Sequence, residues 1–417
     1  MRKTSGFEEV VLEEALAPSA RRSDRMPRFV GMSVDPDARL PNLKAAIVGA
    51  GSIGANIALG LARLQIGRLW IADRSQFKNE SLLTQPIGPD DVGRPKARCI
   101  GEKCKRLSPE TAVLTWNGAI QDLGVTDLLG PNAVILATDN LSAESYVAQW
   151  TLSMGLPLVH ASVHGDTLVA QVRTFSHSDP EGPCLLCSYG AEEFAHLGGE
   201  SIFSCEGIAK GEVKVTTQVQ PTMSVAFLCS TAADLALNAI LRHVLQLGQP
   251  VWNKQVEFCG FRNACIESPL KRNPNCQANH IRQTHVSVSK PLQHLTLREI
   301  LAILGEPVRA SLAFSLDGLE FVERAECACT RRSRVDRFLP AGAPAGRCAC
   351  GGQSFPMPYY SHRPVGLHRI RKLLDRPIAD IADRSPRSLT VHAGDRAWLV
   401  TNGQRRLGTK GICNEDR

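Results

Sequence analysis

Aromatic residues are scarce, at 5% of the 417 residues, with five Trp and four Tyr. Single-strand nucleic-acid platforms stack successive bases on aromatic faces, so the composition argues against that class. No apolar run has the length and purity of a membrane span. Ser224 to Leu241 comes nearest, but Asp234 and Asn238 interrupt it. The opening MRKTSGFEEVV is charged and amphipathic and lacks the apolar centre of a secretory leader. The expectation is therefore a soluble, cytoplasmic protein with reduced thiols and no membrane partner. No internal repeat is evident. Nor is there one block of single-sign charge. The formal net charge of +7 is spread over runs such as TRRSRVDR (Thr330 to Arg337) and HRIRKLLDR (His368 to Arg376). Such runs read first as solvated faces, then as docking surfaces for an acidic partner, with nucleic acid the least favoured.

What the chain has is a strand, a glycine turn, a helix and a second strand ending in an acid, AAIVGAGSIGANIALGLARLQIGRLWIAD, from Ala45 to Asp73. Ala45 to Val48 are small or β-branched, as a strand buried on both faces requires. Gly49, Gly51 and Gly54 have the G-x-G-x-x-G spacing. The first allows a tight turn, the second a close backbone approach to a ligand, and the third helix-strand packing. The free N–H groups at the helix start favour a phosphate. Asp73 is placed to accept hydrogen bonds from ribose hydroxyls. A nucleotide site follows, and on these residues alone NAD is the default occupant.

The downstream motifs argue otherwise. Gln85, VGRPKA (Val92 to Ala97), KRLSPETAV (Lys105 to Val113), AVILATDN (Ala133 to Asn140), GPCLLC (Gly182 to Cys187) and KRNPNC (Lys271 to Cys276) follow in order. From Ala45 to about His280 the chain thereby resembles the ubiquitin-activating enzyme superfamily, which includes the bacterial adenylyltransferases of thiamine and molybdopterin synthesis. The resemblance implies that a carboxylate, usually the C-terminal glycine of a ubiquitin-like protein, attacks the α-phosphorus of ATP. Both reactants are anionic, so the site must supply positive charge. Lys96 is the expected phosphate ligand. Asp139 is the expected ligand of Mg²⁺, a hard cation that prefers oxygen, and Asp73 and Gln85 complete the ATP contacts. A homodimer is also implied, with an arginine reaching across from the partner's N-terminal region; Arg22, Arg25 and Arg28 are the candidates.

The loop after the ribose acid departs from the family pattern. Ser75, Ser81 and Thr84 stand where the family has an acid, an asparagine and an arginine, the last two of which contact the ATP phosphates. Arg74, Lys78 and Arg94 lie nearby in sequence as substitutes.

There are 14 cysteines. Cys184 and Cys187 form a C-x-x-C pair that can turn two thiolates onto one ion. By resemblance a second pair should complete a zinc site, and Cys276 with His280 supplies a Cys-x-x-x-His half-site in its place. Cys327, Cys329, Cys348 and Cys350 form two C-x-C half-sites, the candidates for a second zinc outside the family region. Cys205, in SIFSCEGIAKGE, occupies the loop that carries the reactive cysteine in thioester-forming relatives. It is the candidate nucleophile toward the acyl adenylate, with a loop thiol of no function as the alternative and Lys210 and Lys214 as neighbours able to lower its pKa. Cys229 reads as a core residue. Cys99, Cys104, Cys259 and Cys265 read as buried or incidental thiols, and His160 and His164 as packed or surface histidines.

The expected fold is α/β, a Rossmann-like, mainly parallel sheet with flanking helices, plus a smaller α+β C-terminal module. The expected organisation is an N-terminal arm over 1–43 with a helix at EEVVLEEALA, an adenylation domain over 44–285, and a module over 286–417. In the module a short helix at LREILAIL, a hairpin turning at Asp317-Gly318, a basic helix and a second hairpin at SLTVHAGDRAWLVT are expected. The leading functional reading is a ubiquitin-like-protein activating enzyme that adenylates the carrier, forms a thioester on Cys205 and passes the acyl group to a conjugating enzyme. The alternatives are a sulfur-carrier or peptide adenylyltransferase, a catalytically weakened scaffold subunit, and an NAD-dependent oxidoreductase supported by the glycine turn and Asp73 alone.

Overall fold

The computed structural model describes residues 6–12, 29, 32–123, 125–179, 181–190, 193, 224–276, 278, 280–340 and 342–402. The chain divides into two compact units, the first reaching to His280 and the second beginning at Ile281.

The first unit is built on one nine-stranded sheet. Its strands are β1 (Glu8–Glu9), β2 (Lys44–Val48), β3 (Arg68–Ala72), β4 (Ala112–Trp116), β5 (Ala133–Leu136), β6 (Leu158–His164), β7 (Val169–Phe175), β8 (Lys254–Cys259) and β9 (Ala264–Pro269). The order across the sheet is β1-β4-β3-β2-β5-β6-β7-β8-β9. Strands β4, β3, β2, β5 and β6 are parallel. β1 joins one edge antiparallel, and β7, β8 and β9 extend the other as an antiparallel meander. The Rossmann-like centre expected from the sequence is thus embedded in a larger mixed sheet.

The small, apolar strand sequences are explained by burial on both faces. Ala45, Ile47, Leu69, Ile71 and Ile135 enter one core with helices α2 (Ser52–Arg63), α3 (Lys96–Leu107) and α5 (Ala226–Val244); a four-residue helix, α1 (Pro36–Arg39), precedes β2. Ala46, Val48, Trp70, Ala72, Val134 and Leu136 enter a second core with α4 (Leu141–Met154). Alternate residues of each strand therefore serve opposite layers. Helices α2 and α5 approach closely at Gly60, where a Cβ would stand 2.3 Å from Leu237 Cδ1. Among the described residues no helix is long and apolar enough to cross a membrane.

The N-terminal arm corrects one expectation. Glu8 and Glu9 are a strand, paired with Thr115 and Leu114, where a helix was expected to begin. Phe7 and Val10 are buried in the cores of opposite faces, so the short segment gains more as an edge strand than as an isolated turn of helix.

The second unit has two sheets. One has the order β10-β19-β18-β11-β17, with β10 (Gln283–Val288), β11 (Leu312–Leu316), β17 (Val365–Gly366), β18 (Ser388–Ala393) and β19 (Arg396–Asn402). The other joins β12 (Leu319–Cys327), β13 (Arg332–Pro340), β14 (Gly346–Arg347) and β15 (Gln353–Pro356), with β16 (Ser361–His362) also pairing β12. Because β10 pairs in parallel with β19, this unit starts before the boundary placed at 285. The hairpin expected at Asp317-Gly318 does not form. β11 pairs β17 and β18, whereas β12 pairs β13, β15 and β16. Gly318, at φ +68°, turns the chain from one sheet to the other. Both strands bury their apolar residues, among them Phe314 and Phe321, in one core, which separate sheets satisfy and a flat hairpin does not. The C-terminal hairpin does form, β18 against β19 through Gly394 at φ +71°. The short helix at LREILAIL is α6 (Leu297–Ile303), started by a capping box between Thr296 and Glu299. The basic helix shrinks to Leu367–Ile370 and a following 3-10 turn, because Ile370, Leu373 and Leu374 are drawn into the core.

Candidate nucleotide site and thiolate clusters

The strand order reverses between β2 and β5, since β3 and β4 lie to one side of β2 and β5 and β6 to the other. Ligands of open α/β sheets bind at such a switch point, outside the carboxyl ends of the strands. The glycine turn follows β2, Asp73 follows β3 and Asp139 follows β5. All three are thus carried to the same end of three adjacent parallel strands.

Each glycine of the turn has a separate physical requirement. Gly49 sits at φ +95°, and a Cβ there would stand 2.4 Å from the Ala137 carbonyl oxygen. A Cβ at Gly54 would stand 1.9 Å from the Gly49 carbonyl oxygen. A Cβ at Gly51 would meet nothing within 4 Å. Gly51 precedes α2 and offers no capping side chain, so the first N–H groups of a twelve-residue helix face the open space beside it.

Asp73 braces this turn. Its Oδ2 accepts from Ala50 N–H at 2.7 Å and its Oδ1 from Ser75 N–H at 2.7 Å. Each carboxylate oxygen keeps lone-pair capacity for a hydroxyl. Lys96 is the first residue of α3 and half-buried, with its ammonium 5.8 Å from the centre of the Phe77 ring. Its backbone N–H donates to Ser75 carbonyl oxygen at 2.9 Å, which ties the lysine to the loop that follows Asp73. Asp139 is exposed. The next residue, Asn140, caps α4 by accepting from Ala143 N–H at 2.9 Å.

The departures from the family pattern have structural explanations. Ser81 is buried, and its hydroxyl accepts from Lys78 N–H at 3.1 Å, closing a 3-10 turn. The Thr84 hydroxyl shares a 2.7 Å hydrogen bond with Ser52. Gln85 donates its backbone N–H to Ser81 carbonyl oxygen, while its side-chain Oε1 is buried without a partner. Arg94 is committed elsewhere, to Glu102 at 2.7 Å and Asp91 at 3.4 Å. Lys78 lies 4.0 Å from Glu80.

The first thiolate cluster joins residues far apart in sequence. Cys184 Sγ lies 3.7 Å from Cys187 Sγ, 3.8 Å from Cys276 Sγ and 3.6 Å from His280 Nε2, and Cys187 Sγ is 3.6 Å from the same nitrogen. With Zn–S near 2.3 Å and Zn–N near 2.05 Å, a tetrahedron has S···S edges of about 3.8 Å and S···N edges of about 3.6 Å. A disulfide would need about 2.05 Å. The donor set therefore fits a closed, structural zinc site. The shared hydrogen bond holds the Cys187 thiol below its ordinary range and pushes the Cys184 thiol above it, so one proton is held between the two sulfurs. Cys327, Cys329, Cys348 and Cys350 also converge, within the second unit.

Other cysteines have simpler settings. Burial pushes Cys104 up to about 12 and raises Cys99, so both are inert core thiols. Cys229 is buried in α5, Cys259 is half-buried and Cys265 is exposed on β9. Cys205, Lys210, Lys214, Arg22, Arg25 and Arg28 lie outside the described residues.

One polar network went unread in the sequence. Glu144, on the first turn of α4, is buried and accepts from the Tyr189 hydroxyl at 2.6 Å, with His160 Nε2 at 3.8 Å. Burial alone would raise its pKa, yet His160, Tyr189 and Arg173 together hold it below the usual carboxylate range. Its members stand on a helix, in a loop and on a strand, and no local spacing in the sequence links them. His164 is exposed.

Residues 24–278 match the ThiF family. The molybdopterin-synthase adenylyltransferase of Escherichia coli (strain K12) is 24% identical over 264 residues, covering 61% of this chain and 94% of that protein. The SAMP-activating enzyme E1 of Haloferax volcanii is 28% identical over 179 residues, covering 42% of this chain and 64% of that protein. Among solved structures, E. coli MccB with ATP aligns with a TM-score of 0.47 at 20% identity, over 58% of this chain and 68% of that one. The family match takes in more than half of the sequence, including the glycine turn, Asp73, Lys96, Asp139 and three of the four first-cluster ligands. The chain belongs to the ThiF family, within the ubiquitin-activating enzyme superfamily of adenylyltransferases.

Proposed function

We propose that the first unit adenylates the C-terminal carboxylate of a small carrier protein, using ATP. The observation that carries this reading is the placement of the glycine turn, Asp73 and Asp139 at the ends of three adjacent parallel strands, with Lys96 tied by its backbone to the Asp73 loop. One carboxylate oxygen of the carrier attacks the α-phosphorus of ATP. The new acyl-oxygen–phosphorus bond forms as the bond to pyrophosphate breaks, leaving an acyl adenylate. Asp73 holds the ribose, the N–H groups after Gly51 hold phosphate, and Lys96 compensates the charge that develops around the α-phosphorus. Asp139, an exposed oxygen donor, holds Mg²⁺, which supplies charge neutralisation on the phosphates. Cys184, Cys187, Cys276 and His280 hold zinc as a structural tie.

A protein substrate is supported by the relatives, one named for activating SAMP and one for adenylylating molybdopterin synthase. In the finer form of this reading the carrier is ubiquitin-like. Its acyl group moves from AMP to the Cys205 sulfur, AMP leaves, and a conjugating enzyme accepts the thioester. Two copies of the chain act together, an arm arginine (Arg22, Arg25 or Arg28) of one reaching the phosphates held by the other. A sulfur-carrier substrate shares the first half-reaction and needs no thioester.

The test is carrier-dependent exchange of labelled pyrophosphate into ATP, using small proteins encoded beside this gene. Exchange is expected with one carrier, and Asp139→Ala or Lys96→Ala should lower it by about 10²-fold or more. Cys205→Ala should retain exchange and lose any thiol-labile adduct with the carrier. Intact ATP binding without exchange for every carrier would turn the reading to a scaffold subunit.

A further inference from the structure

We propose that the second unit carries its own zinc ion, held by Cys327, Cys329, Cys348 and Cys350 and independent of the cluster in the first unit. These four thiols and the first cluster are the metal-capable groups found among the described residues.

The backbone prepares this convergence. β12 ends at Cys327, and the turn beyond it closes through Thr330 N–H donating to Cys327 carbonyl oxygen at 2.7 Å, with Thr330 at φ +65°. Between β14 and β15 a second turn closes through Gly351 N–H to Cys348 carbonyl oxygen at 2.9 Å and Cys348 N–H to Gly352 carbonyl oxygen at 2.8 Å. Gly351 is at φ +87°. β12 and β15 are antiparallel neighbours, with Cys327 opposite Ser354. That register sets the two turns side by side, each presenting two thiols.

The sulfur spacing selects a metal over disulfides. Cys327 Sγ is 3.5 Å from Cys350 Sγ, and Cys329 Sγ is 3.7 Å from Cys348 Sγ. All four sulfurs lie within 4.8 Å of one another. A tetrathiolate zinc has S···S edges of about 3.8 Å, whereas disulfide sulfurs are about 2.05 Å apart. Gly352 keeps the space clear, because a Cβ there would lie 3.1 Å from Cys327 Sγ and 3.4 Å from Cys350 Sγ.

Burial explains one of the four at most. Cys327 is buried, but Cys348 is half-buried, Cys329 and Cys350 are exposed, and none of the four belongs to the main apolar cluster of the unit. β14 is two residues long and its turn has no apolar anchor in that core. An ion shared between the turns supplies what packing does not. Four thiolates close the tetrahedron, which marks the site as structural. Tetrahedral sulfur sets also suit iron, so metal identity is part of the claim.

The experiment is metal analysis of the full chain purified without chelator, with alkylation of its cysteines followed by mass spectrometry. About two zinc ions per chain are expected. Cys348→Ser/Cys350→Ser should remove about one of them, and Cys259→Ser/Cys265→Ser none. In the wild-type protein, where no variant needs to fold, Cys329 and Cys350 should resist alkylation until a chelator is added, despite their exposure. One zinc per chain that the Cys348→Ser/Cys350→Ser change leaves untouched would overturn the proposal. So would rapid alkylation of Cys329 and Cys350 before chelation, disulfides among the four cysteines, or the visible absorption of an iron–thiolate centre.

Discussion

Thr84 and Ser52 share a 2.7 Å hydrogen bond between their hydroxyls. Ser52 is the first residue of α2, directly after the glycine turn, and Thr84 stands where the family resemblance places a phosphate-contacting arginine. In this chain the position makes a neutral contact that braces the turn. Arg94 is turned instead to Glu102 and Asp91, which engage its guanidinium.

Thr84→Arg should therefore improve the site. A restored charge-assisted hydrogen bond to phosphate contributes about 1.5 kcal/mol or more, and the Thr84–Ser52 bond given up contributes about 1 kcal/mol to folding. The expected result is roughly tenfold higher kcat/KM for ATP in pyrophosphate exchange, with a small drop in thermal midpoint. An unchanged kcat/KM would mean that another cation already serves those phosphates.

The glycine turn separates binding from stability. Gly54→Ala sets a Cβ 1.9 Å from the Gly49 carbonyl oxygen, where backbone rather than a flexible side chain must move. It should cost about 1–3 kcal/mol of stability, the usual penalty of overpacking. Gly51→Ala meets nothing in the protein, so its thermal midpoint should stay near that of the wild type while ATP affinity falls. Thermal unfolding and ATP titration of both variants check the contrast. Equal stability losses would show that Gly51 serves packing and leaves the ligand side of the turn alone.

These two glycines also show what a sequence can carry. The turn, the helix behind it and Asp73 were legible because their spacing reflects contacts within one βαβ unit, and the alternation of Ala45, Ile47, Ala46 and Val48 between two cores explains why the strand reads as continuously apolar. The first thiolate cluster was legible in half, through the local Cys184/Cys187 pair, with the rest supplied by family resemblance. The failures were non-local. Whether Leu312–Leu316 pairs with Leu319–Cys327 depends on which distant strands compete for each, and β18 and β13 win. Glu8–Glu9 became a strand because the β4 edge was available. The Glu144–Tyr189–His160 network joins a helix, a loop and a strand, with no spacing to announce it.

Metal removal should destabilise the first unit strongly. The proposed zinc would tie the segment at Cys184–Cys187 to that at Cys276–His280, whose described cysteines form no disulfide. Cys276→Ser should release the ion bound there and lower the thermal midpoint of this unit by roughly 5–10 °C. Zinc content and calorimetry check it. A variant that loses zinc yet melts with the wild type would make the cluster a binding site without a structural role.

Acid sensitivity should come in part from His177. The ring is buried, and burial lowers its pKa from 6.5 to about 4, against the raising influence of its hydrogen bond with the Leu156 carbonyl oxygen, 2.8 Å away. The unfolded chain accepts a proton near pH 6.5, whereas the folded chain resists it until about pH 4. In that window the unfolded state holds more protons, so stability falls as pH drops from about 6.5 toward 4. The contribution is on the order of 3 kcal/mol, from 1.36 kcal/mol per pKa unit. His177→Asn keeps a donor for Leu156 and removes the titration. Urea unfolding of both proteins between pH 7 and pH 4.5 should show a shallower loss of stability in the variant. Cys187 and His280 act electrostatically on His177, so zinc content is measured at each pH in both proteins and slopes are compared where it is equal. Identical slopes would mean that the folded protein admits a proton at His177 as readily as the unfolded chain does.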